Sequence, residues 1–115
     1  MVRKQSEQII AKACVQGGIG EAEMHKILVS PEEMLGKGRL FNHIFLNPGC
    51  SVGEHHHHGD MEVYYILKGT GDYNDNGKHV QLNAGDTAIC GDGEMHGLVN
   101  NGDEPIEMIA LILYA

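Results

Sequence analysis

Positive charge is scarce in this sequence. Its 115 residues carry 8 Lys and Arg against 16 Asp and Glu, a formal net charge of −8. Nucleic-acid surfaces and anionic membrane surfaces both need clustered cations, so neither partner is expected. Long apolar runs are also missing: no stretch approaches the roughly 20 residues of a membrane helix. Residues 1–20 are polar and lack the apolar region of a secretion signal. Cysteine is sparse too. Cys14, Cys50 and Cys90 are odd in number, far apart and free of any CxxC pair. That excludes a disulfide framework and makes a reducing cytoplasm the expected compartment.

Glycine is plentiful, with 16 residues scattered without period. Glycines between short apolar runs imply many tight turns and hence an all-β chain. The length suits one domain. Residues 2–16 suit a short helix or an extended arm, and 22–29 read as a strand. Ser30-Pro31-Glu32-Glu33 has the pattern of a helix start, with Ser30 as N-cap, Pro31 first and Glu33 as capping partner. Strands then recur over residues 39–46, 51–57, 62–67, 69–74, 78–82, 87–90, 96–100 and 106–114. Turns fall at Asn47-Pro48-Gly49, Asp75-Asn76-Gly77, Ala84-Gly85-Asp86, Gly91-Asp92-Gly93 and Asn101-Gly102-Asp103. Strands spaced this closely with turn chemistry between them imply a sandwich or barrel of antiparallel sheets.

The last strand is apolar on both faces. Ile106, Met108, Ala110, Ile112 and Tyr114 lie on one side, and Ile109, Leu111 and Leu113 on the other. A strand of that kind is normally covered twice. The N-terminal segment or a second copy of the chain is expected to supply the cover, and a homodimer is the expected assembly.

The richest local feature is His55-His56-His57-His58, an internal run flanked by strand signals. On a strand, residues i and i+2 share a face. His55 and His57 therefore converge on one side, and His56 and His58 on the other. Glu62 opens the next strand, from which its carboxylate can reach the same point. His96 follows another glycine-rich turn and can add a fourth donor. Three imidazoles and a carboxylate form a borderline-hard set suited to one divalent transition ion: Mn, Fe, Ni, Co or Zn. On an octahedral ion, four protein ligands leave two positions open for a small molecule.

Gly49-x5-His55-x-His57-x4-Glu62-x6-Gly69 resembles the first cupin motif at every signature position. Gly85-x5-Gly91-x-Gly93-x2-His96-x3-Asn100 resembles the second, with Gly91 in place of the motif's proline. The two motifs together span residues 49–100. His56 and His58 also satisfy the first motif in its shorter form; the spacing from Gly49 selects His55 and His57. The resemblance implies a cupin jelly-roll β-barrel of two antiparallel sheets over residues 36–115. Residues 1–35 would form an arm or strands packing on it. It also implies His55, His57, Glu62 and His96 as metal ligands, with manganese or iron favoured.

Other residues are candidates by position. If Glu62 faces inward, alternation turns Tyr64 inward too. Phe41 and Phe45 read as core, which would turn His43 and Arg39 toward the interior to meet an anionic ligand. Glu54 and Glu94, beside the motif histidines, are candidate proton donors, as is Tyr64. The expected partner is a small oxygenated metabolite: a carboxylate, keto acid, diol or sugar. It would be turned over by a metal-dependent decarboxylase, dioxygenase, isomerase or lyase. The alternative is a non-catalytic binding or sensing cupin.

Overall fold

The computed structural model describes all 115 residues, and nearly every regular element in it is a strand. A 3-10 turn at Gln5–Glu7 precedes β1 (Ile10–Ala13) and β2 (Ala22–Leu28). The chain continues through β3 (Gly38–Leu46), β4 (Ser51–His56), β5 (Asp60–Lys68), β6 (Gly71–Asp75) and β7 (Lys78–Leu82). It ends with β8 (Thr87–Cys90), β9 (Met95–Val99) and β10 (Ile106–Tyr114). Two antiparallel sheets result. One has six strands in the order β1-β2-β3-β10-β5-β8, the other four in the order β4-β9-β6-β7. The tightest hairpin forms where the sequence has Asn76-Gly77. Both residues have positive φ, 52° and 93°, as a two-residue turn compatible with strand twist requires.

The expected helix at Ser30 does not form. Residues 31–36 make successive turns instead. Ser30 Oγ still accepts from the Glu33 backbone N–H at 3.3 Å, but the Glu33 carboxylate reaches past Ser30 to the Val29 N–H at 2.8 Å. It also takes a two-pronged bond from Arg3, at 2.6 and 3.2 Å. Leu35 and Gly36, both at positive φ, then end the segment after little more than a turn.

The core lies between the sheets. Ile44, Leu46, Tyr64, Ile66, Leu98, Ile106, Met108 and Ala110 form one buried cluster. The inward residues of β3 are therefore Leu40, Asn42, Ile44 and Leu46, whereas Phe41, His43 and Phe45 lie half-buried on the outer face. This reverses the expectation for that strand. Both of its faces are apolar, so alternation alone gave no way to tell inside from outside.

The N-terminal segment closes one side of the barrel. Between β1 and β2 the chain runs alongside β4, where Val15 pairs with Val52 in a parallel bridge and the Val15 carbonyl accepts from the Gly53 N–H at 3.1 Å. The approach needs glycine on both sides: a Cβ at Gly18 would strike the Ser51 carbonyl, and one at Gly53 the Gln16 carbonyl.

Candidate metal centre

Three strands bring the donors together. β4 contributes His55, and His57 follows directly after it. There the His57 backbone is pinned to the β8–β9 turn: its N–H donates to the Glu94 carbonyl at 2.9 Å, and its carbonyl accepts from Gly93 N–H at 2.6 Å. β5 contributes Glu62 and β9 contributes His96, which pairs directly with His55. The side chains of His57, Glu62 and His96 are buried, and His55 is part-buried.

The ligand atoms of all four residues lie within 4.8 Å of one another. His57 Nε2 is 3.1 Å from His96 Nε2 and 3.2 Å from Glu62 Oε1. His96 Nε2 is 3.1 Å from Glu62 Oε1 and 3.2 Å from His55 Nε2. Adjacent donors on one octahedral ion with bonds of about 2.1 Å sit about 3 Å apart, so these edges match a single small cation.

Each imidazole is held by its other nitrogen. His55 Nδ1 faces the Gly53 carbonyl at 2.7 Å, and His57 Nδ1 faces Asp60 Oδ1 at 2.7 Å. Both partners are acceptors, so Nδ1 carries the proton and the Nε2 lone pair points into the cluster. His96 Nδ1 meets the Tyr73 hydroxyl at 2.9 Å. Tyr64 stacks on His96 with ring centroids 5.1 Å apart.

Electrostatics favour positive charge here. Hydrogen bonding to Glu62 holds His57 above the usual histidine range, against the opposing effect of burial. Burial pushes Glu62 up, but bonds from His57 and His96 outweigh it and leave the carboxyl below its ordinary value. His55 is lowered, chiefly by burial, and stays a neutral lone-pair donor. The negative potential that raises His57 and the ionised Glu62 carboxylate both attract a cation, and a metal ion would take the place of a proton on His57 Nε2. Thiolate ligation is not part of it. Cys90, opposite Glu62 on β8, is pushed up to about 11, first by burial and then by nearby carboxylates, and remains a thiol.

The centre opens into a cavity of 290 Å3. His55, Glu62 and Tyr64 form one wall. Ala22, Met24, Ile44, Val52 and Ile112 form an apolar one, and residues 13–16 of the N-terminal segment another. Arg39 reaches this cavity for a reason the sequence hid. It is the extra residue of a β-bulge, since Ile112 pairs with Leu40 and Leu113 with Gly38. A bulge re-aims a side chain, and Arg39 Nε donates to Asp60 Oδ2 at 2.9 Å. Burial raises Asp60, but the bonds from Arg39 and His57 more than offset it and hold the carboxyl low.

His43, Glu54 and Glu94 lie elsewhere. His43 is on the outer face, bonded to Glu107 at 2.7 Å. Glu54 accepts from Asn74 Nδ2 at 2.8 Å on the outside of the smaller sheet. Glu94 braces its own turn, accepting from Gly91 N–H at 2.7 Å and from Asn76 Nδ2 at 2.7 Å. A proline at 91 could not donate that first bond. His56 and His58 point outward with parallel rings 5.8 Å apart. Tyr64 is fully buried, and burial, then the Glu62 charge, raises it well above the usual phenol value. Sequence reasoning missed Asp60 and Tyr73. Asp60 reads as part of a turn, and Tyr73 could have been placed inward only from the alternation of β6.

The sequence model of the cupin domain matches residues 42–112. This chain belongs to the cupin family. Among curated proteins, this cupin is 46% identical over 99 residues to an oxalate-binding protein of Thermotoga maritima, covering 86% of this chain and 81% of the relative. It is 26% identical over 111 residues to the tetracenomycin polyketide synthase protein TcmJ of Streptomyces glaucescens, covering 91% and 74%. A crystal structure described as a predicted oxalate decarboxylase from Thermotoga maritima superposes with a TM-score of 0.93 at 43% identity, each chain covered in full. KdgF from Halomonas, at 15% identity and a TM-score of 0.71 over 97% of this chain and 91% of its own, shares the fold.

Proposed function

We propose that this cupin captures a small carboxylate, with oxalate the first candidate, on a divalent metal ion held by His55, His57, Glu62 and His96. The observation that carries this reading is the convergence of four donors on the wall of a cavity whose one permanently charged cation is Arg39. When bound, the ion supplies Lewis-acid coordination to ligand oxygens, and the donor set favours manganese or iron. Arg39 offers a second, planar contact for a carboxylate at the cavity mouth. The mostly apolar walls favour a small ligand held by a few polar contacts over a sugar needing many. The names of the Thermotoga proteins, oxalate-binding and predicted oxalate decarboxylase, point to the same ligand class.

Binding is favoured over turnover because Glu54 and Glu94 are engaged away from the cavity, leaving Tyr64 as the one of the three candidate proton donors on its wall. The three free cysteines suit a reducing compartment, and we infer that the working form is a homodimer. Calorimetric titration of manganese-loaded and metal-stripped protein with oxalate tests the reading. Saturable binding that requires metal and weakens at least tenfold in Arg39→Gln is expected. Loaded protein that binds neither oxalate nor any other small carboxylate overturns it. Release of formate and CO2 replaces simple binding with decarboxylation.

A further inference from the structure

A second cavity, of 250 Å3, lies beside the first along β2 and β3. Met24, Arg39 and Leu40 line both, so the two are neighbours across Arg39. The polar side chains of this annex are Lys26, Arg39 and Asn42, and no acidic residue lines it. That sets it apart in a chain with 16 acids against 8 bases. We propose that the annex is a second carboxylate subsite, which takes the far end of a dicarboxylate longer than oxalate whose near end sits on the metal.

Asn42 marks the annex as more than a packing gap. It is 4% exposed, yet its side-chain amide makes no hydrogen bond within the chain. No fully enclosed side-chain polar atom of this protein lacks a partner, so the access that the Asn42 amide keeps is through the annex. A buried amide without a partner is costly, and an apolar residue of similar size would avoid that cost. The two cations are free as well. Lys26 pairs with no acid, and Arg39 uses only Nε, on Asp60, leaving its terminal amino groups open. An ammonium, a guanidinium and an amide NH2 can all donate, which fits a carboxylate. Met24 and Leu40, shared by the two cavities, suit an aliphatic chain between them. Strand register sets the span. Lys26 pairs with Asn42, Asn42 with Ala110 and Ala110 with Tyr64 in one inner row, and Glu62 stands two residues from Tyr64. With strands about 4.8 Å apart and residues of one face about 6.8 Å apart, Asn42 lies about 12 Å from Glu62. A six-carbon diacid advances about 6 Å between its carboxyl carbons, and metal and hydrogen bonds of about 2–3 Å at each end fill most of the rest.

This inference rests on the reading of a metal-held carboxylate and lengthens its ligand. Calorimetric titration of manganese-loaded and metal-stripped protein with oxalate, adipate and hexanoate tests it. Adipate should bind the loaded protein at least tenfold tighter than hexanoate, which has the same chain and one carboxylate. Lys26→Met keeps the stem and removes the charge, and should lower the ratio of adipate to hexanoate affinity at least fivefold. Asn42→Asp, of the same shape, sets a like charge in the annex and should lower the ratio further. Circular dichroism checks both variants, and the wild-type comparison stands even if one fails to fold. Adipate no tighter than hexanoate, or a ratio unmoved in both folded variants, overturns the annex. Metal-dependent oxalate binding beside that result leaves the metal reading standing. Adipate that binds stripped protein equally well, and loses that affinity in Lys26→Met, supports the annex and overturns the metal reading. Protein that binds none of the three acids overturns both.

Discussion

Replacing Asp60 with asparagine should weaken metal binding 10- to 100-fold without touching any of the four proposed ligands. Asp60 is buried and serves two donors at once, His57 Nδ1 at 2.7 Å and Arg39 Nε at 2.9 Å. An asparagine of the same shape can satisfy only one. If its carbonyl faces His57, its NH2 group opposes the Arg39 N–H. If the amide flips, NH2 faces His57 Nδ1 and drives the ring proton onto Nε2. That nitrogen lies 3.2 Å from Glu62 and 3.1 Å from His96, inside the donor cluster. In either orientation the negative charge that makes His57 a better donor is gone. Partners of this kind typically contribute 10- to 100-fold in metal affinity, or about 1.4–2.7 kcal/mol. Competition against a chromophoric chelator at fixed pH measures it, with circular dichroism to confirm the fold. Arg39→Gln is the companion variant: it breaks the outer bond but leaves the carboxylate on His57, and its metal Kd should stay within about threefold of wild type. An Asp60→Asn protein that is folded and binds metal within twofold of wild type would refute the positioning role.

His57→Ala should lose most bound metal by elemental analysis while His56→Ala retains it, because only His57 turns its Nε2 into the cluster; the reverse result would mean the register is shifted by one. Leu98→Ala should cost about 2–5 kcal/mol in denaturant unfolding, the usual range for emptying a fully buried leucine site. Gly53→Ala should loosen residues 13–16 and raise their amide exchange, since the new methyl meets the Gln16 carbonyl. Glu33 is held below the usual carboxylate range, first by the Arg3 hydrogen bond. A lowered folded pKa contributes stability above the unfolded pKa and loses it as pH falls through the folded value. Glu33→Gln should therefore flatten the acid side of the melting profile and change little below the folded pKa.

Most of the candidate metal centre was legible because its residues sit where spacing and alternation agree. His55 and His57 share a strand face, and the distance from Gly49 chooses between the two histidine pairs. Glycines at 49, 69, 85 and 93 all adopt positive φ, so the spacing marks real turns. The strands 78–82, 87–90 and 106–114 fall where turn residues and β-formers put them. What spacing could not reveal was the layer behind the ligands. Asp60 and Tyr73 act across the barrel through contacts 3 and 23 residues apart in the chain, and nothing local sets either apart from a turn aspartate or a core tyrosine.

The failure on β3 is the more instructive one. Alternation sorts residues into two sets but does not say which set is inside. On β4 and β5 the candidate ligands His55 and Glu62 supply that sign. β3 carries no ligand, and its two faces, Leu40-Asn42-Ile44-Leu46 and Phe41-His43-Phe45, are each apolar enough to be core. The aromatic face looked the stronger candidate, and the barrel buries the one with Asn42. Arg39 then reached the cavity through a bulge opposite Ile112, a backbone irregularity with no local signature. The misassigned aromatics and the two-sided last strand have one physical origin. The sequence carries more apolar surface than a single barrel of 115 residues can enclose, and the excess, with Phe41 and Leu111 side by side at its centre, lies on the outer face of one sheet.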